Sequence, residues 1–135
     1  MVNDSEQKEK KASILIIEDD KFLRELLFRK LEKSGFNISI VIDGEEALRK
    51  IKEEEYEIIL LDLVLPGIDG FEILKEIKKN PKTSKTPVII LSNLGQQEEV
   101  ERGLRLGAVD YLIKAHFTPD EIIQKIENIL KKNNI

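Results

Sequence analysis

The sequence alternates between short apolar runs and longer segments with helical spacing, and this alternation limits the folds that it can adopt. Three of the runs, SILII at 13–17, EIILL at 57–61 and PVIIL at 87–91, are apolar almost throughout. Runs of this kind are typical of strands that are covered on both faces of a parallel sheet. The pattern therefore predicts a doubly wound α/β domain.

Five strands are predicted, at 13–17, 37–42, 56–61, 86–92 and 109–113. An apolar stripe with helical spacing follows each strand, and the fourth stripe is the weakest. The stripes are Leu23, Leu26, Leu27 and Leu31; Ala47, Leu48 and Ile51; Phe71, Leu74 and Ile77; Val100 and Leu104; and Ile122, Ile126, Ile129 and Leu130. The commonest sheet of this kind has the strand order 2-1-3-4-5, with right-handed crossovers that place helices on both faces. We expect this flavodoxin-like (βα)5 fold.

The length of 135 residues fits one domain. We expect a disordered polar tail at 1–12, the domain at 13–132 and a short tail at 133–135. The polar start does not have the apolar core of a secretory signal, and no apolar run approaches the length of a membrane span. A net charge of −4 does not suggest nucleic-acid binding, and the lack of cysteine fits a reducing compartment. These features predict a soluble cytoplasmic protein.

Polar side chains follow four of the predicted strands, at the edge of the sheet where the strands end. They are Glu18, Asp19 and Asp20; Asp62; Ser92 and Asn93; and Lys114. Strands one and three are neighbours in the predicted order, so their acids converge and repel one another. A hard divalent cation relieves that repulsion, and Mg²⁺ prefers such oxygen ligands. The sequence therefore predicts a Mg²⁺ site at Glu18, Asp19 and Asp62.

Some of these acids have a simpler reading as helix caps. Asp20 is the expected N-cap of the first helix, and the whole EDD run could be a capping cluster. Thr118, with Pro119 and Glu121 after it, is the predicted capping box of the last helix.

A carboxylate beside Mg²⁺ is able to attack a phosphoryl group and form an aspartyl phosphate. Such a step depends on positioning and on charge neutralisation, which Lys114 and the Ser92 hydroxyl could supply. Taken singly, Lys114 could also be a solvated loop residue, and Ser92 could simply end a strand.

The residues just described resemble the receiver domain of bacterial two-component response regulators over about 13–132. The resemblance is carried by four motifs in the family's order: ILIIEDD at 14–20, DLVLPGIDGFEIL at 62–74, PVIILS at 87–92 and LGAVDYLIK at 106–114. It implies that Asp62 accepts a phosphoryl group from a histidine kinase or a phosphotransfer protein. The other implied roles are Mg²⁺ ligands (Glu18, Asp19, Asp62 and the Val64 carbonyl), phosphoryl binding (Ser92 and Lys114) and an aromatic switch (Tyr111).

The resemblance also implies signalling through a protein-binding surface that changes when Ser92 and Tyr111 move inward. The alternative for Tyr111 is an ordinary strand aromatic packed on helix four. Kinase docking is expected near Phe22, Leu23 and Phe117, and the downstream protein target is unknown. We expect a monomer or a weak phosphorylation-dependent dimer, with no direct nucleic-acid or membrane partner.

Several positions depart from the family pattern. Ala115 stands where the family usually has a proline after the lysine, so we expect a trans bond and a rearranged loop. Asn93 replaces a small residue after the switch serine. Val64 and Leu94 are apolar, which predicts slow self-hydrolysis because neither side chain orients water. His116, the only histidine, is expected to be a solvated loop residue.

Two other function classes compete with a receiver that is not a turnover enzyme. A Mg²⁺-dependent phosphohydrolase usually has a second acid two residues after its nucleophile, where this chain has Val64. A pseudo-receiver, which binds proteins without phosphotransfer, would be expected to lack Asp62 or Lys114. The altered loop after Lys114 is the only feature that supports it. The chain is expected to be a stand-alone receiver unless it was cut from a longer regulator.

Overall fold

The computed structural model describes residues 12–133, which contain five parallel strands and five α-helices in alternation. The elements are β1 Ser13–Ile17, α1 Lys21–Lys33, β2 Asn37–Val41, α2 Gly44–Glu53, β3 Ile58–Leu61, α3 Gly70–Lys79, β4 Val88–Ser92, α4 Gln97–Arg105, β5 Asp110–Ile113, a 3-10 helix Lys114–His116 and α5 Pro119–Asn133. The strands lie in the order β2-β1-β3-β4-β5. The predicted doubly wound fold and strand order are confirmed.

The three central strands, β1, β3 and β4, are almost entirely apolar because both faces of the sheet are buried there. Successive side chains of a strand point to opposite faces, so Leu15 and Ile17 of β1 belong to one core and Ile14 and Ile16 to the other. Helices α2 and α3 cover the first face, and α1 and α5 cover the second. This arrangement leaves the carboxyl ends of the strands as the open edge of the sheet.

Strand β1 has the predicted bounds, and the other four strands are shorter than predicted by one or two residues. Ile42 and Val109 are 44% and 51% exposed and lie outside β2 and β5, so the predictions of 37–42 and 109–113 were too long. The strands predicted from 56 and 86 begin at Ile58 and Val88. Apolar character alone does not mark where the hydrogen-bonded ladder begins, which explains these differences.

The predicted helix caps are confirmed. Asp20 accepts a hydrogen bond from the Leu23 amide at 3.2 Å. The Thr118 hydroxyl accepts from the Glu121 amide at 3.1 Å, and the Glu121 carboxylate accepts from the Thr118 amide at 2.8 Å. The sequence therefore marks where α1 and α5 begin.

The apolar stripe predicted for the fourth helix was wrong in part. Leu104 is 45% exposed, and the residue of α4 that is buried is Gly103. Helix α4 therefore approaches the sheet through a glycine rather than through a leucine.

The chain termini lie largely outside the described residues. Of the predicted tail at 1–12 only Ala12 is described, and its carbonyl accepts a hydrogen bond from the Asn37 amide at 2.9 Å. Helix α5 extends to Asn133, the first residue of the predicted tail at 133–135. Between residues 12 and 133 no helix is long and apolar enough to cross a membrane.

Candidate functional site

Three acids meet where β1 and β3 end. The two strands pair in parallel with Ile17 opposite Leu61, so the next residues, Glu18 and Asp62, leave the sheet side by side. One carboxylate oxygen from each of Glu18, Asp19 and Asp62 lies within 4.8 Å of the others. Glu18 and Asp62 are buried, whereas Asp19 is exposed. The structure thus brings together the three acids that the sequence singled out.

Lys114 reaches this acidic cluster from β5, two strands away from β3. Its Nζ donates to Glu18 Oε2 and to Asp62 Oδ2, each at 2.9 Å. The peptide bonds of the described residues are all trans, as expected for the bond before Ala115. The residues that follow β5 form the 3-10 helix, in which Lys114 is the first residue. The lysine is therefore delivered to the acid although the family's proline is absent.

Burial and charge shift the proton affinities of this cluster. Burial, and then the charge of Asp62, raise the pKa of Glu18 to about 7, although hydrogen bonds from the Asp20 amide and Lys114 oppose the shift. Burial alone lowers the pKa of Lys114, but its hydrogen bonds to Asp62 and Glu18 outweigh burial and raise it. The lysine therefore stays charged, and Glu18 is the group that titrates near neutral pH.

The acidic cluster fits a divalent cation in both chemistry and charge. It offers hard carboxylate oxygens, which are the ligands that Mg²⁺ prefers. With all three acids ionised, their charge exceeds that of Lys114 by two. The Asp19 carboxylate has no hydrogen bond to any of residues 12–133, so its oxygens are available to a ligand. The Val64 amide donates to Asp62 Oδ1 at 3.2 Å and holds that carboxylate in place.

Ser92 ends β4, the strand next to β3, and is fully buried. Its hydroxyl oxygen accepts a hydrogen bond from the Leu94 amide at 3.3 Å, and the hydroxyl hydrogen has no acceptor among the described residues. Asn93 is exposed, as is Val64 on the neighbouring loop. The hydrogen of the Ser92 hydroxyl is therefore left without a partner in this part of the chain.

Tyr111 connects β5 to two other parts of the molecule. Its hydroxyl donates to the carbonyl of Leu94, two residues beyond Ser92. Its ring lies against Gly103 of α4, where an added Cβ would come within 3.0 Å of the ring and 2.6 Å of Ile90 Cδ1. Burial raises the pKa of Tyr111 to about 12, so the hydroxyl keeps its proton as a donor. The ring thus packs on helix α4 while its hydroxyl holds the loop after the serine.

The loop after Asp62 folds back tightly on itself. The Gly70 amide donates to the Leu63 carbonyl at 3.0 Å. A Cβ on Gly70 would lie 2.4 Å from Leu63 Cα and 2.8 Å from the Asp62 carbonyl oxygen. Asp69 then caps α3 by accepting from the Phe71 amide at 2.9 Å. Only glycine fits at residue 70, because a side chain there would push against the backbone that carries Asp62.

Two residues near the site were missed by the sequence reasoning. Gly103 makes room for the Tyr111 ring, and a glycine inside a helical segment was the available signal. Arg24 donates from Nη1 to the carbonyl of Asp19 at 2.8 Å, and no pattern in the sequence predicts this hydrogen bond. His116 is exposed, in agreement with the expectation for that residue.

Comparison with known proteins gives consistent results. The family model described as "Response regulator receiver domain" matches residues 14–127. The phosphate regulon transcriptional regulatory protein PhoB of Rhizobium meliloti is 34% identical over 119 residues, which are 88% of this chain and 52% of that protein. The chain spans about half the length of the curated relatives that it matches.

Solved structures agree in fold over nearly the whole domain. A response regulator structure from Chloroflexus aurantiacus is 34% identical with a TM-score of 0.81, and the match covers 90% of this chain and 99% of that one. The receiver domain of a sensor histidine kinase from Pseudomonas aeruginosa is 28% identical with a TM-score of 0.80, over 90% and 99% of the two chains. That structure has a magnesium ion coordinated in its active site cleft.

Proposed function

The chain belongs to the response regulator receiver family, and we propose that its Asp62 accepts a phosphoryl group from the phosphohistidine of a histidine kinase or a phosphotransfer protein. The observation that carries the proposal is the position of Lys114, whose Nζ lies 2.9 Å from Asp62 Oδ2 and 2.9 Å from Glu18 Oε2. The lysine places its positive charge against a buried carboxylate at a site that is open to solvent through Asp19. An ionised carboxylate is the form that acts as a nucleophile.

The proposed step is a transfer between two nucleophiles. A carboxylate oxygen of Asp62 attacks phosphorus and forms a P–O bond, while the P–N bond to the histidine breaks. The electron pair of that bond stays on the imidazole nitrogen of the donor. Lys114 then shifts its hydrogen bond from Asp62 to a phosphoryl oxygen, and the Ser92 hydroxyl donates to another.

In this proposal Glu18, Asp19, Asp62 and the backbone carbonyl of Val64 hold the metal. Mg²⁺, when bound, supplies positive charge that neutralises the oxygens of the phosphoryl group. The convergence of the three acids within 4.8 Å supports this assignment. The magnesium ion in the active site cleft of the Pseudomonas aeruginosa receiver supports the choice of metal.

We propose that phosphorylation is read out as a change of a protein-binding surface. A phosphoryl group that attracts the Ser92 hydroxyl would also move the loop that follows Ser92. Tyr111 would move with that loop, because its hydroxyl donates a hydrogen bond to the Leu94 carbonyl. The ring would then turn inward beside α4 and change the surface there. In this proposal residues 13–132 act as the receiver, a phosphoacceptor rather than a turnover enzyme, and the downstream target is another protein.

The test is incubation of the 135-residue chain with Mg²⁺ and acetyl phosphate, followed by intact-protein mass spectrometry. We expect a mass gain of one phosphoryl group that is absent in Asp62→Asn and is abolished by a chelator. Asp69→Asn, a change of an acid on the same loop, is the matched control and should still be labelled. Absence of labelling with acetyl phosphate and with a phosphohistidine donor would favour the pseudo-receiver instead.

A further inference from the structure

Asp19 differs from the other two acids of the cluster in how it is held. Glu18 Oε2 accepts hydrogen bonds from the Asp20 amide at 3.0 Å and from Lys114 at 2.9 Å. Asp62 accepts from the Val64 amide and from Lys114. The exposed Asp19 carboxylate has no such partner within residues 12–133. Its position therefore depends on the backbone that carries it.

That backbone is held by Arg24, one turn into helix α1. Arg24 Nη1 donates to the Asp19 carbonyl oxygen at 2.8 Å, and the Arg24 amide donates to the Asp20 carbonyl at 3.0 Å. The first of these bonds restrains the carbonyl of the Asp19–Asp20 peptide, whose N–H donates to Glu18 Oε2 at 3.0 Å. Together the two bonds restrain the backbone that carries the Asp19 side chain. The guanidinium is a charged donor, which makes the bond stronger than one between neutral groups.

We propose that Arg24 is a positioning residue for the metal site, acting through the backbone of Asp19. This inference rests on the proposed function, because it assumes that the three acids bind Mg²⁺. Groups that orient a metal ligand without touching the metal typically change affinity by 10- to 100-fold when they are removed. Arg24 is half-buried and acts on a carbonyl rather than on the carboxylate, so we expect a loss of about tenfold, at the lower end of that range.

The chain contains a matched control on the same helix. Arg29 is exposed, carries the same charge and makes no hydrogen bond or ion pair with any of residues 12–133. Arg29→Gln removes the same charge as Arg24→Gln without touching the turn at Asp19. A difference between the two variants therefore reports the hydrogen bond and not the net charge of α1.

The experiment is a Mg²⁺ titration of the full chain followed by amide chemical shifts in two-dimensional NMR. We expect Arg24→Gln to weaken Mg²⁺ binding by about tenfold, Arg24→Lys to fall between it and the wild type, and Arg29→Gln to bind as the wild type does. The rate of labelling by acetyl phosphate should recover in Arg24→Gln at saturating Mg²⁺, since only metal binding is impaired. A helix-stabilising role alone would not confine the defect to low Mg²⁺.

Wild-type Mg²⁺ affinity in both Arg24 variants would overturn the inference, as would a labelling defect that persists at saturating Mg²⁺. If Arg24→Gln does not give a folded spectrum, the affinity of Arg24→Lys decides by itself. A wild-type chain that neither binds Mg²⁺ nor is labelled would instead overturn the proposed function, so the two failures are distinguishable.

Discussion

Lys114 reduces the electrostatic repulsion between two buried acids, Glu18 and Asp62, by donating a hydrogen bond to each. Its side chain is 15% exposed, and it bonds to carboxylates that are 2% and 5% exposed. Removing one partner of a buried ionic cluster is strongly destabilising, because charges are left without compensation. The site is therefore built around repulsion that the lysine and, in our proposal, a metal relieve.

We expect Lys114→Ala to lower the free energy of unfolding by about 3 kcal/mol in chelator at pH 8. The measurement is urea unfolding followed by circular dichroism. Lys75→Ala is the control, because Lys75 pairs with Glu72 at 3.1 Å on the exposed face of α3 and should contribute less than about 1 kcal/mol. An equal loss in the two variants would contradict this account of the cluster.

Glu18 gives the metal-free protein a specific pH dependence. Burial raises its pKa from 4.5 to about 7, so between these values the folded chain keeps a proton that the unfolded chain has released. The contribution of Glu18 therefore makes the free energy of unfolding fall as pH rises through this window. We expect Glu18→Gln to make this slope less negative, by at most about 1.4 kcal/mol per pH unit.

Urea unfolding in chelator at several pH values measures this effect. Glu25→Gln, at an exposed position of α1, is the control and should keep the wild-type slope. A Glu18→Gln slope equal to that of the wild type would show that Glu18 does not titrate in this range.

Val64 is predicted to keep the acyl phosphate long-lived. The residue is 56% exposed two positions after Asp62, where a polar side chain could orient an attacking water. We expect Val64→Asn to shorten the lifetime of the phosphorylated form by about tenfold, since a positioned water reacts faster than a free one. The measurement is loss of the phosphoryl mass after the donor is removed. A wild-type half-life of seconds would contradict the prediction of slow self-hydrolysis.

At the scale of elements, the loop between β3 and α3 depends on how closely Gly70 approaches the backbone of Asp62 and Leu63. An added Cβ would lie within 2.8 Å of backbone atoms that cannot move cheaply. We expect Gly70→Ala to lower the free energy of unfolding by about 2 kcal/mol or more, even after the better helix propensity of alanine is included.

Gly67→Ala on the same loop separates crowding from backbone strain. Gly67 has a φ of +87° but has nothing within 4 Å of an added Cβ, so its substitution should cost only about 1–2 kcal/mol of conformational strain. Urea unfolding of both variants tests the comparison. A smaller loss in Gly70→Ala than in Gly67→Ala would show that the loop relaxes around the new methyl group.

For the whole molecule, the proposed metal binding would be linked to folding, because the three acids converge only when β1 and β3 pair. Mg²⁺ at 100 times its dissociation constant should raise the free energy of unfolding by about 2.7 kcal/mol. Asp19→Asn should lose most of this gain, and Glu25→Gln, which removes the same charge from an exposed position of α1, should keep it. Thermal unfolding with and without chelator measures the gain, and equal gains in the two variants would argue against Asp19 as a ligand.

The fold class follows from the sequence, because apolar runs that alternate with amphipathic segments have few ways to bury both faces of a sheet. The caps at Asp20 and Thr118 also follow from the sequence, since capping depends on residues within three positions of one another. The acids at the strand ends could be placed at one edge because parallel strands all end on the same side. These are consequences of local pattern and of topology.

How the lysine reaches the acids, and which groups hold the rest of the site, depend on the packing of distant parts of the chain. Lys114 is 96 residues from Glu18 and 52 from Asp62, and it is the first residue of a 3-10 turn. The hydrogen bond of Arg24 to the Asp19 carbonyl, at 2.8 Å, and the fit of Tyr111 against Gly103 likewise depend on atomic positions that are set within a few tenths of an ångström. Such distances result from the packing of the whole domain, which no short stretch of sequence encodes.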